Sequence, residues 1–202
     1  MTPGALQRVI RRAAARVPQP GPSCQLCGLQ IPDEHRHMLD TDRNQPLCAC
    51  RACSVLFNRQ AASQGHYQLI PDRRVQLNDV PVKALGVPVG LAFFIPQPDG
   101  RVAARYPSPA GATQWEPEPR AWRQVLTACP ALASLAPQVE ALLVNTARGR
   151  SEAWLVPVDD CYRLVAIVRQ HWKGLSGGDR VWPEIEQFFA ELRRRYGTDP
   201  GR

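Results

Sequence analysis

Two short motifs, Cys24-Gln-Leu-Cys27 and Cys50-Arg-Ala-Cys53, constrain this chain more than anything else in it. A two-residue gap lets both thiolates of a pair reach one ion while the intervening backbone amides turn toward the sulfurs. Gly28, directly after the first pair, can take the left-handed conformation that tightens such a knuckle. The second pair falls where a helix is expected to start, so helix N–H groups and the helix dipole would favour its thiolates. Between the pairs, residues 35–41 and 46–50 flank Asp42, Arg43, Asn44 and Gln45, good turn residues for a hairpin. A knuckle, a hairpin and a helix that supplies the last two ligands make up the plan of a treble-clef zinc finger. The expected ligands are therefore Cys24, Cys27, Cys50 and Cys53 around one Zn2+. Four thiolates leave no open coordination position, so this zinc would brace structure rather than activate water.

Other assignments stay open at this point. Cys48 stands in the same Cys-Ala-Cys-Arg-Ala-Cys run and could replace Cys50 or point away as an inert buried thiol. His35 and His37 share a strand face, because side chains alternate with period two, and could complete a mixed site. The alternative for them is a place on the surface or around the ligands. Rubredoxin-like iron is the rival at the same four sulfurs. Against it, the second pair lacks a following glycine and a helix is expected to run through it.

Seven cysteines in a secreted chain would suggest disulfides. The first twenty residues instead hold Arg8, Arg11, Arg12 and Arg16 and no apolar run of the signal-peptide kind, so the thiols are expected to stay reduced in a cytoplasmic protein. No run of about eighteen apolar residues is present, and no transmembrane segment is expected. The excess of 25 basic over 18 acidic residues, nearly all of it arginine, makes nucleic acid a partner to consider. These arginines are spread along the chain, which equally suits a solvated surface.

The expected fold is α+β: a small treble-clef-like zinc module with four cysteine ligands, followed by a mixed α/β domain with hairpins and two C-terminal helices. Residues 1–20 form an amphipathic basic helix, with Leu6, Val9, Ile10, Ala13 and Val17 on one side, and a Pro-rich linker. Residues 21–62 form the metal module and residues 63–202 the second domain. Within that domain, residues 90–95 and 102–106 predict one hairpin across Pro98-Asp99-Gly100, and residues 139–146 and 152–158 predict another across Arg148-Gly149-Arg150. A helix is expected over residues 120–128. Another begins at an Asp159 or Asp160 cap and carries Cys161, Leu164, Val165, Val168 and Trp172 on its apolar stripe until Gly174. The last helix lines Trp182, Ile185, Phe188, Phe189 and Leu192 on one face, with its arginines late, where the helix dipole favours them.

No arrangement of residues points to an enzyme. Asp159, Asp160 and Cys161 lie side by side, but no histidine is near in sequence and Cys161 falls on the apolar stripe. The segments CQLCGLQIPDEHRHMLD, LCACRACSVLF, WLVPVDDCYRLV and HWKGLSGG together resemble an uncharacterised bacterial family, found in actinobacteria and some proteobacteria and typically encoded beside nickel-iron hydrogenases of the actinobacterial type. That resemblance implies an accessory role in assembly, maturation or function of a hydrogenase, through contacts with a hydrogenase subunit or maturation factor. A nucleic-acid-binding zinc protein and a rubredoxin-like electron carrier or redox sensor are the alternatives.

Overall fold

A computed structural model of the chain describes residues 21–58, 65–87, 89–174 and 178–197. They fall into two units, one ending at Tyr67 and the other starting at Gln68. The basic helix and linker expected over residues 1–20 lie outside the described residues.

In the first unit the chain makes a tight turn at its start, closed by an antiparallel bridge between Ser23 and Gln30. Strands β1 (Arg36–Asp40) and β2 (Gln45–Ala49) follow as an antiparallel hairpin in which His37 faces Cys48 and Asp40 faces Gln45. The turn is polar for a reason. The buried Asp40 carboxylate accepts the N–H groups of Asp42 at 3.1 Å and Arg43 at 3.0 Å, and Asn44 takes φ 52°. Helix α1 (Arg51–Phe57) starts directly after β2, with Cys50 as its N-cap. Strand β3 (Tyr67–Leu69) follows at the boundary between the two units.

The second unit is built on a six-stranded sheet of order β4-β9-β8-β5-β6-β7, antiparallel at every step. Its strands are β4 (Val75–Leu77), β5 (Leu91–Pro96), β6 (Val102–Ser108), β7 (Gly111–Trp115), β8 (Glu140–Asn145) and β9 (Glu152–Pro157). The central strands read as continuous apolar runs because both sheet faces are covered. On one face Ala92, Phe94, Leu142, Val144 and Leu155 pack with Trp122 and Val125 of α2 (Pro119–Ala128). Alternate positions turn the other way, and Phe93 meets Tyr162 of α3 (Val158–His171). Helix α3 also packs against α4 (Gly178–Tyr196).

The two C-terminal helices depart from expectation in detail. Asp159 and Asp160 lie inside the first turn of α3, and Pro157 rather than either of them is the N-cap. Asp160 is buried and bound by the Arg74 guanidinium at 2.6 Å, so its carboxylate serves a tertiary ion pair instead of a cap. Trp172 ends α3 as its C-cap and donates its indole N–H to Gly174 O at 2.9 Å. In α4 the buried stripe is Val181, Ile185, Phe188, Phe189 and Leu192. Val181 takes the place expected for Trp182, whose ring lies over the Arg148 guanidinium at 4.7 Å. Among the described residues no helix is long and apolar enough to cross a membrane.

Two contacts in this unit carry measurable stability. Glu140, only 2% exposed, accepts both Nε and Nη2 of Arg73, at 2.9 and 2.7 Å, and the Ala136 N–H at 2.8 Å. Arg73 is partly exposed and can turn to water, but the Ala136 N–H loses its partner, so Glu140→Ala is expected to lower unfolding free energy by about 1–3 kcal/mol. Urea titration of the variant measures this directly. Gly90 sits at φ 75° with its carbonyl accepting the Thr146 N–H at 2.6 Å, and an added Cβ would lie 2.8 Å from the Ala147 backbone. Gly90→Ala is expected to lose about 1–3 kcal/mol from the left-handed conformation alone, and more from the clash, read as a lower midpoint in the same titration.

Candidate metal centre

Backbone geometry delivers the four sulfurs to one place. Around Cys24 the chain folds back so that Gly28 N–H donates to Cys24 O at 2.8 Å and Cys24 N–H to Leu29 O at 2.7 Å. Gly28 at φ 75° makes the reversal without strain. This knuckle is fastened to β2 in both directions. Gln25 N–H donates to Cys48 O at 2.9 Å, and Cys48 N–H donates to the Gln25 side-chain carbonyl at 2.7 Å. The end of β2 then enters α1, where the Cys50 sulfur accepts the Cys53 N–H at 3.4 Å. That contact is an N-cap made by sulfur in place of the usual oxygen.

The outcome is a group in which the sulfurs of Cys24, Cys27, Cys50 and Cys53 all lie within 4.8 Å of one another. Cys27 and Cys50 sulfurs are 3.8 Å apart, and none of the seven cysteines is in a disulfide. For a tetrahedral ion with metal–sulfur bonds of about 2.3 Å, the sulfur–sulfur edge is about 3.8 Å. This group has the dimensions and the ligand chemistry to hold one ion such as zinc or iron. It also forms part of the interior of its unit: Cys24, Ile31, Cys50 and Cys53 make one buried cluster, flanked by Leu26, Cys48 and Phe57.

Electrostatics around the sulfurs are uneven. Burial raises the Cys24 thiol, but the backbone N–H groups of Cys50, Leu26 and Cys27 outweigh it and bring its pKa down to about 6. At Cys27 the Leu29 N–H favours the thiolate, yet the neighbouring Cys24 side chain leaves the group raised. Burial pushes Cys53 up, and its three thiol neighbours add to the effect. Sulfurs this close cannot all ionise unless a cation joins them, which is the electrostatic condition of a thiolate metal site.

A second group stands beside the hairpin: one ring nitrogen each of His35 and His37 and the Cys48 sulfur lie within 4.8 Å of one another. Spacing alone left Cys48 and Cys50 as competitors for one position. The fold sends them apart, Cys50 to the cysteine group as helix cap and Cys48 across the hairpin from His37. Gln25 was missed by the sequence reading. Nothing in its spacing marks a residue whose amide clamps Cys48 from the knuckle side.

The remaining cysteines lie in the second unit. Cys161 is fully buried on α3, and burial raises its thiol well above the ordinary range. Cys129 is buried beside α2 in the core with Trp122 and Leu132.

A family model described as a family of unknown function, DUF5947, matches residues 23–196. The chain belongs to this family. No curated protein matches it, and no solved structure does. The DUF5947 match begins one residue before Cys24 and ends at the last residue of α4, so it takes in the cysteine group, the hairpin histidines and the whole six-stranded sheet.

Proposed function

We propose that this DUF5947 protein is a zinc-stabilised accessory protein that works through protein–protein contacts, assisting assembly, maturation or function of a nickel-iron hydrogenase. The observation that carries the metal reading is the convergence of four sulfurs from a knuckle and a helix start into one group of tetrahedral dimensions. The order knuckle, hairpin, helix is that of a treble-clef zinc finger. Zinc is favoured over iron because the second pair enters a helix instead of a second glycine-closed knuckle. All four ligands come from protein, so the ion holds a scaffold and leaves no position for substrate.

An adaptor role is supported by what that scaffold presents. Leu29, beside the knuckle, and Val55 and Leu56, on α1, are 58%, 60% and 54% exposed, large apolar side chains on a small unit. The hydrogenase assignment rests on the resemblance of the CxxC, CACRAC and WLVPVDDCY segments to proteins encoded beside such enzymes.

The test is affinity capture of the tagged full chain from cells expressing a nickel-iron hydrogenase, with the metal content and visible spectrum of the captured protein recorded. A colourless protein carrying zinc and retaining a hydrogenase subunit or maturation factor is the expected result. Visible thiolate–iron absorption would replace the scaffold reading with an electron-transfer one. A zinc protein that retains no hydrogenase component would overturn the partner assignment and leave the metal assignment standing.

A further inference from the structure

Beyond the cysteine group, the chain at the hairpin gathers three side chains of metal-binding chemistry, His35, His37 and Cys48. His37 on β1 lies directly opposite Cys48 on β2. His35 stands just before β1, and its ring meets that of His37 edge-on with centroids 4.7 Å apart. One nitrogen of each ring and the Cys48 sulfur fall within 4.8 Å of one another, the span of donors around a single ion. All three residues are half-buried. A cross-strand pair chosen only for packing would place apolar or β-branched side chains here.

The decisive detail is the state of His35. Its Nδ1 lies 2.9 Å from Pro32 O, and a carbonyl oxygen can only accept, so Nδ1 carries the hydrogen. That fixes the tautomer and leaves the Nε2 lone pair as the ring's coordinating position. Nε2 is shielded from solvent and meets no hydrogen-bonding partner. A metal-bound histidine is typically held this way, with one ring nitrogen donating to a backbone carbonyl and the other facing the ion. A buried, oriented, unpaired lone pair otherwise costs stability without return.

We infer that His35, His37 and Cys48 form a second metal site, distinct from the four-cysteine group, that takes a zinc(II) ion. Two imidazoles and one thiolate are the donor mixture that borderline-soft zinc(II) prefers over calcium or magnesium. Three protein ligands leave one coordination position for water or for a donor from another molecule. The four-cysteine site is closed, whereas this one is open, and its ion exchanges more readily.

The experiment is a zinc titration of the full chain against a chromophoric chelator, repeated with cobalt(II), whose thiolate charge-transfer absorption reports each sulfur bound. The wild-type chain is expected to bind two equivalents, one tight and one weaker, and the second cobalt equivalent is expected to add charge-transfer intensity. His35→Ala, His37→Ala and Cys48→Ala are each expected to retain the tight equivalent and lose the other. Retention of the tight equivalent certifies that the hairpin is folded, and three single variants leave two to decide should one fail to fold. A wild-type chain that binds a single equivalent overturns the site. So does a second equivalent that survives all three substitutions, or a second cobalt equivalent that adds no thiolate absorption. A chain that binds two ions but captures no hydrogenase component leaves this site intact while the partner assignment falls.

Discussion

Serine at both Cys24 and Cys53 is expected to strip the metal from the chain and unfold the residues from the knuckle through α1. The reason is the small size of that unit's interior, where the sulfurs pack with Ile31 and the hairpin adds Met38, Leu39 and Ala49 as buried apolar side chains. A module of this size has too little apolar surface to offset its conformational entropy. Structural zinc supplies on the order of 10–16 kcal/mol to such modules, so its loss exceeds what the hairpin and one short helix can offset. Removing one thiol from each pair breaks both the knuckle and the helix-cap ends of the site. Hydrogen exchange provides the readout. Amides of β1, β2 and α1 lose protection in the double variant, while those of β5, β8 and β9, which have their own buried core, keep theirs. Unchanged protection in β1 and β2 would show that the hairpin stands without the ion.

The second large effect is expected at the centre of the six-stranded sheet. Phe94 is fully buried on β5, with Trp122 of α2 stacked against it at 5.7 Å and Trp115 of β7 edge-on at 5.5 Å. It therefore joins the helix layer, the central strand and an edge strand in one aromatic cluster. Phe94→Ala removes the ring from a site whose walls are large and fixed on three elements, so the cavity cannot collapse. The expected loss is about 3–5 kcal/mol, a third or more of the stability of an ordinary domain, with the aromatic pairs contributing part of it. Phe94→Leu, which refills most of the volume, should lose less. Denaturant unfolding of the second unit followed by tryptophan fluorescence measures both, and an Ala variant with an unshifted midpoint would contradict this packing.

How much of this was legible in the sequence depends on how local each signal was. The hairpin of β5 and β6 was readable because Pro98-Asp99-Gly100 carries its own turn chemistry: Gln97 N–H reaches Arg101 O at 2.8 Å and Arg101 N–H reaches the Asp99 carboxylate at 3.0 Å. The hairpin of β8 and β9 was readable in the same way from Arg148-Gly149-Arg150. That β5 and β8 then pair, turning two hairpins into one sheet, was not readable, since nothing local records which strand edges meet. Strand β7 was passed over because Gly-Ala-Thr-Gln-Trp has no apolar alternation. It is ordered by its ladder with β6 and by the contact of Trp115 with Phe94.

At the helix ends the errors were of phase. Val181 and Trp182 are neighbours, and only packing against α3 decides which of them enters the core. Asp160 looked like a cap because caps are local, but a half-buried Arg74 from a distant loop claimed it. The same distinction governs the site. Spacing revealed that the cysteines could share an ion, yet the choice between Cys48 and Cys50 turned on where β2 ends and α1 begins. Cys50 becomes a helix cap with its sulfur turned to the Cys53 N–H, and Cys48 remains a strand residue facing His37.

X-ray absorption at the zinc edge, on the full chain loaded with one equivalent of zinc, tests the central claim most directly. A single shell of four sulfurs at about 2.3 Å is the predicted result, with no nitrogen or oxygen neighbour. A mixed shell containing imidazole nitrogen, or a chain that fails to retain the first equivalent, would contradict it.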